Sequence, residues 1–191
     1  MKKRISSGEA ADLIILTRPM MEDLQSQNKV AAGSLVNLVG TPVSVAARAG
    51  APKPDISSVD ALKQALLTAR SIVYADPAKG GVSGVYFASV LNRLGIGDQL
   101  KDKTILVPGA QAQEVVAKGD AELGVAQALE IVPVAGAQLV GPLPGELASM
   151  TVFTGGIGAE SKSPEATKTL IKFLTGPEAV SRLKIKAFEP G

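Results

Sequence analysis

The apolar positions along this chain change rhythm at intervals, and each change predicts an element boundary. Lys2 to Ser7 reads as the tail of a helix stopped by Gly8. Ala11-Asp-Leu-Ile-Ile-Leu-Thr17 is then almost continuously apolar, the pattern of a strand covered on both faces. Pro19 opens a helix with Met20, Met21 and Leu24 on its inner side, ending near Asn28. Ser34 to Val39 and Val43 to Ala47 predict two extended pieces separated by Gly40-Thr-Pro42, suited to a crossing between two lobes. Val59, Leu62 and Leu66 recur at helical spacing within a helix over 56–69, with Ser57 or Ser58 as its cap.

The next stretch organises the rest. Ile72, Val73 and Tyr74 predict a short buried strand, followed by a loop with Pro77, Gly80, Gly81 and Gly84. Val85, Tyr86, Ala88, Val90, Leu91 and Leu94 then mark one helix face, and Gly95 supplies the stop. The logic repeats. Thr104 to Val107 is a strand closed by Pro108-Gly109, Gln111 to Lys118 a helix with Val115 and Val116 inward, and Ala121 to Gln127 a strand. The segments 131–134, 137–140 and 141–144 read as short extended pieces broken by Pro and Gly. Thr151 to Thr154 is the last strand, with Gly155, Gly156 and Gly158 taken as a tight turn, before helices opened by Pro164 and Pro177. The alternation implies an α/β protein with mostly parallel sheets, arranged as two sheet systems.

Composition narrows the chemistry. In 191 residues 46% are apolar and only 3% aromatic, so Ala, Val, Leu and Ile must fill the core of one large domain or two small lobes. A formal charge of +2 with no basic stripe argues against nucleic acid. His and Cys are both absent, which removes the usual zinc sites, Ser-His-Asp triads, Cys-His pairs and thiol chemistry. Neither G-x-G-x-x-G nor the nucleotide-phosphate P-loop occurs, so no cofactor and no metal is expected. No apolar run reaches the length of a membrane span, and Met1-Lys-Lys-Arg4 leads into polar residues where an export signal would need its apolar core.

What remains are hydroxyl, amide, carboxylate, cationic and backbone groups. Ser83 falls where an N-cap belongs. It either caps its own helix or joins the free N–H groups of the first turn in holding a small anion. Gln127 ends its strand on the same edge, and its amide either donates to that anion or caps the residues from Ala128. Arg18 follows the first strand at its carboxyl end, where open α/β sheets bind ligands, or else is a surface charge.

Several stretches, in order, resemble type II periplasmic solute-binding proteins, nearest the molybdate-binding branch of ABC importers. They are Gly8-Glu-Ala-Ala-Asp-Leu-Ile-Ile15, Ala75-Asp-Pro-Ala78 with Ser83-Gly-Val-Tyr86, Gly119-Asp-Ala-Glu-Leu-Gly-Val125, Ser163-Pro-Glu-Ala-Thr167 and Phe173 to Ala179, closing on Phe188-Glu-Pro190. The resemblance covers essentially the whole chain. It implies two α/β lobes, residues 1–40 with 143–191 and residues 41–142, and an anion held in the cleft between them. It places ligand contacts at Ser83, Gly84, Gly109 and Ala110, with Arg18 and Lys79 nearby. Gln127 stands where molybdate binders carry tyrosine, and this, with the two cations, suits a carboxylated organic anion better than molybdate. The extra glycine in Lys79-Gly80-Gly81 implies a wider loop than in molybdate binders.

The resemblance further implies a periplasmic location, importer membrane subunits as partners, and a first lobe lacking its N-terminal strands, either because the chain is a truncated form or because another chain completes the lobe, as in a strand-exchanged homodimer. Relatives of this branch include aconitate isomerase, so the alternative is a cofactor-free isomerase of a tricarboxylate. Glu130, Asp76 and Tyr86 are its acid-base candidates by position.

Overall fold

The computed structural model describes residues 1–79 and 81–190, so the expected widening of the loop at Gly80 lies outside the described residues. The chain forms two compact units, Met1–Thr41 with Thr151–Gly191, and Pro42–Met150. The strand β2 (Val36–Arg48) belongs to both in turn, beginning in the first and ending in the second. It is one continuous strand where the sequence predicts two pieces. Gly40 and Pro42 lie inside it, at the point where its pairing passes from β8 to β5 and β6.

In the first unit, α1 (Lys2–Ser6) precedes β1 (Leu13–Thr17) and α2 (Arg18–Ser26). β1 pairs antiparallel with β7 (Met150–Ile157), Leu13 opposite Ile157 and Thr17 opposite Phe153, and β7 adjoins β2. Ile14 packs with Ile5, Met21 and Leu24 on one side of β1. Leu13 belongs to a second cluster with Leu38, Ile157 and Ile171. The latter comes from α8 (Pro164–Leu174), which leads to α9 (Pro177–Lys184) and β8 (Glu189–Pro190). Gly155 and Gly156 are not a turn after the last strand but part of it. A Cβ at Gly156 would come within 2.8 Å of Met21 Cε and Val30 Cγ1, so glycine is what lets the core close over β7.

The second unit carries the strand order β6-β2-β5-β3-β4, with β3 (Ile72–Ala75), β4 (Thr104–Val107), β5 (Leu123–Gln127) and β6 (Ala137–Pro142). β3 runs parallel to both β4 and β5, whereas β5 and β6 are antiparallel to β2. The sheets are therefore mixed rather than mostly parallel. Parallel pairing is confined to the three strands linked through helical crossovers, and the strands that carry the chain between units run against their neighbours.

Helices cover both faces of the parallel trio. On one, α3 (Val59–Thr68) and α4 (Val82–Leu94) build the main core, in which Leu62, Leu66, Phe87 and Val90 meet Tyr74 and Val125. The α5 helix (Gly97–Leu100) closes its end with Leu100. On the other, α6 (Ala112–Lys118) sets Val116 against Val73. The segment 131–134, predicted as extended, instead ends the short α7 (Ala128–Ile131). Leu143 and Leu147 are fully buried in the α3–α4 core, which groups residues 143–150 with this unit and not with the first, where the sequence reading puts them.

The tightest contact in this unit joins α4 to β3. A Cβ on Gly84 would lie 1.9 Å from the Ala75 carbonyl oxygen, and one on Gly81 would lie 2.9 Å from Ala75 Cβ. Gly84→Ala must therefore push the first turn of α4 off the strand end, and we expect a loss of about 1–3 kcal/mol. Urea unfolding of the two proteins measures it; an unchanged midpoint would show that the helix start is not held in this way.

Candidate functional site

Three crossovers deliver their loops to one edge. β3, β4 and β5 are parallel neighbours, with Ala75 opposite Val107 and Tyr74 opposite Val125, so their carboxyl ends lie side by side. At that edge stand the residues after β3 (Asp76 to Lys79 and Gly81 to Gly84), those after β4 (Pro108 to Gln113) and those after β5 (Gln127 to Glu130). Open α/β sheets bind ligands at such ends.

The start of α4 differs by two residues from the sequence expectation. Its N-cap is Gly81, whose missing side chain caps nothing, and Ser83 is the second helical residue. The first intrahelical acceptor is Gly81, engaged by the N–H of Val85 at 2.9 Å. The N–H groups of Val82, Ser83 and Gly84 thus have no carbonyl of their own helix to bond. Ser83 is only 5% exposed, and its hydroxyl makes no hydrogen bond with any described residue. A thirteen-residue helix therefore brings an uncapped positive end and the hydroxyl of a buried residue to the same point.

The loop before it is organised by Asp76. The Asp76 N–H donates to the Val107 carbonyl at 2.8 Å, tying the ends of β3 and β4 together. The Asp76 carboxylate accepts the Ala78 N–H at 3.0 Å, and Lys79 Nζ lies 3.9 Å from its other oxygen. Asp76 is a turn-former, and the exposed Lys79 is a positive charge beside the helix start. Gly109, with φ of +54°, and Ala110 form an exposed 3-10 turn leading to α6.

Beyond β5, Gln127 and Glu130 close a reciprocal cap on α7. The Glu130 N–H donates to the Gln127 side chain, while Glu130 Oε2 accepts the Gln127 N–H at 3.2 Å. The cap role left open for Gln127 is thus the one its geometry uses. Burial raises the Glu130 carboxyl above the ordinary carboxylate range, against the smaller opposing pull of the Gln127 N–H. The Tyr86 hydroxyl donates to the Leu147 carbonyl at 3.1 Å, so this acid-base candidate is spent on joining α4 to the 145–147 turn.

Arg18 belongs to the first unit. It follows β1 as expected, but its guanidinium donates to Glu22 at 2.7 Å and to Asn37 at 3.1 Å, and Asn37 also accepts from Thr154 Oγ1 at 3.0 Å. The other six candidates, Lys79, Ser83, Gly84, Gly109, Ala110 and Gln127, lie in the second unit at the shared edge.

One residue at this edge escaped the sequence reading. Gln113, in the first turn of α6, is 1% exposed, and neither its amide nitrogen nor its amide oxygen has a hydrogen-bond partner. The signal was present: Gln113, Val116 and Ala117 share one helix face, so a polar side chain interrupts an inward stripe.

With this geometry established, the sequence matches the family described as bacterial extracellular solute-binding protein over residues 1–188. The chain belongs to that family. It is 34% identical over 188 residues to a Pseudomonas protein named aconitate isomerase, which spans 98% of this chain and 70% of that protein. Its fold is similar to a substrate-binding domain assigned to a molybdenum ABC transporter of Clostridium difficile, with TM-score 0.81, 20% identity and coverage of 100% of this chain and 81% of that one. It is also similar to the periplasmic molybdate-binding protein of Azotobacter vinelandii, with TM-score 0.71, 20% identity and coverage of 100% and 83%. Among the described residues, no helix is long and apolar enough to cross a membrane.

Glu130 gives a test of the edge's electrostatics. Its folded pKa lies above the unfolded one, so the native state holds the proton more tightly. The stability this group contributes is present in acid and is lost as pH rises through the folded value. The stability of the native chain minus that of Glu130→Gln should fall as pH rises from the ordinary carboxylate range through the higher folded value. Denaturation at a series of pH values measures that difference; one that is flat or rising would mean the carboxyl is not desolvated.

Proposed function

We propose that this solute-binding protein captures a small carboxylated anion at the amino end of α4 and delivers it to the membrane subunits of an ABC importer on the extracytoplasmic, periplasmic side. The observation that carries the reading is Ser83, a residue only 5% exposed in the first turn of a helix whose cap residue supplies no side chain. Such a turn favours negative charge through both its free N–H groups and its dipole. Lys79 adds a cation from the preceding loop. The family described as extracellular solute-binding protein supports the location and the partner class.

An organic carboxylate suits the site better than molybdate. The position at which the resembling molybdate binders present a phenol is Gln127, and its side chain accepts the Glu130 N–H in the α7 cap. A buried site that lacks a donor its ligand requires rejects that ligand strongly.

A second reading, isomerisation of a tricarboxylate, is favoured by the relative named aconitate isomerase. Glu130 is then the group to move a proton, because its burial holds the carboxyl closer to neutral pH than an exposed one. Solvent-deuterium incorporation into cis- and trans-aconitate separates the two readings. Binding without exchange supports capture alone, and exchange lost in Glu130→Gln supports catalysis.

Ser83 decides whether the site is where we place it. Ser83→Pro removes the hydroxyl and the N–H at a helix position that tolerates proline, and two charge-assisted hydrogen bonds are worth about 100-fold or more in affinity. A thermal-shift screen with molybdate, sulfate, citrate and both aconitates, followed by calorimetry on the best binder, should show that loss. Full affinity in a folded Ser83→Pro would move the site elsewhere.

A further inference from the structure

A buried amide with neither of its polar groups paired is costly in a folded protein unless something else completes it. Gln113 is in that position, and its place in the second unit is well defined. The α6 helix leaves β4 at its carboxyl end and returns to the amino end of β5, so its first turn lies at the shared edge. Ala112, beside Gln113, packs in the cluster that includes Val107, the last residue of β4. Val116, one turn later on the face of Gln113, lies so close to β5 that a Cβ on Gly124 would come within 2.8 Å of its Cγ2. Ala117, four residues on, faces Gly136. Gln113 therefore stands about one helical turn closer to the edge than Val116, on the flank turned toward β5 and the α7 segment after it.

The amide adds a fixed, hydrogen-free acceptor to what the start of α4 offers. The first turn of α4 offers N–H donors and one hydroxyl that can donate or accept, a set weighted toward ligand oxygens with lone pairs. Gln113 brings one more donor pair, at Nε2, and also a pure acceptor, at Oε1. A fully ionised oxyanion can take the Nε2 hydrogens but leaves Oε1 facing lone pairs. A ligand that also carries its own O–H satisfies both ends of the amide.

We propose that Gln113 is a specificity-determining residue of the anion site, and that it selects anions bearing a hydroxyl beside the carboxylate over anions that present acceptor oxygens alone. This rests on the placement of the site at the α4 start and deepens it by naming the ligand class as hydroxy acids. The carboxylate is held by the Ser83 end of the edge, and the hydroxyl donates to Oε1 while accepting from Nε2. With that ligand bound, the buried amide has no unpaired atom.

Two pairs of acids that differ only by one hydroxyl test the assignment: malate against succinate, and citrate against tricarballylate. Calorimetry on the intact chain should show the hydroxylated member of at least one pair bound about tenfold or more tightly, as expected where a buried polar pair is left unmade by the analogue. Gln113→Leu, of similar volume, should erase that preference, the hydroxylated acid losing about tenfold more affinity than its analogue. The same substitution removes an unpaired amide from the unliganded core, so the Tm without ligand should be unchanged or rise by about 2–4 °C. Gln113→Met guards against a local misfit of leucine and should behave in the same way.

Equal affinity for both members of each pair, or a hydroxyl preference that survives in both variants, would overturn the role of Gln113 while leaving the α4 site intact. A lowered Tm in both variants, without ligand, would show the amide to be a structural holder of internal water and would also overturn it. Failure of all four acids to bind would instead remove the anion site on which the assignment stands.

Discussion

The contact on which the second unit depends is the approach of Gly84 to the Ala75 carbonyl, so close that no side chain fits between helix and strand. It fixes where the first turn of α4 sits. A helix start a few ångströms farther from the sheet would leave its N–H groups in open water. Held against the end of β3, those groups face the same edge as the loops after β4 and β5. The rest of the unit supports that placement. Phe87 and Val90 anchor α4 in the main core, and Tyr86 ties it to the 145–147 turn through the Leu147 carbonyl.

Against that frame the edge is built from unlike parts. Asp76 spends its carboxylate on the turn before α4, and Gln127 and Glu130 spend one hydrogen bond each on the cap of α7. These groups shape the loops. Ser83 and Gln113 are different: both residues are buried, and the Gln113 amide has no hydrogen-bond partner among the described residues. A protein that buries an unpaired amide at a sheet edge carries a cost there, and a bound solute is the simplest source of compensation. The family to which the chain belongs makes that solute its purpose.

Much of this was readable from residue order. Alternating apolar runs located β3, β4 and β5 to within a residue or two, and the glycine after Leu94 stopped α4 as expected, with a φ of +65°. The helix start was harder. Ser is so favoured as a cap that Ser83 reads as one, yet the helix begins earlier because Gly81 and Gly84 must both pass close to Ala75, and that contact is long-range. Gly155 and Gly156 misled in the opposite way: glycine pairs suggest turns, but here they make room for Met21, Val30 and Leu38 over a strand that continues to Ile157. Pro42 suggested a break in β2, and nothing local reveals that the strand exchanges partners there. Gln113 was visible only as a polar interruption of an inward stripe, because burial without a partner is a property of the packed structure.

The central claim is that the first-turn amides of α4 hold the anion. Backbone amide chemical shifts followed by NMR during titration with citrate test it directly. The account predicts that Val82, Ser83 and Gly84 move downfield together and saturate with the calorimetric affinity. Citrate binding that leaves these three amides unmoved, with shifts confined to other parts of the chain, would contradict it.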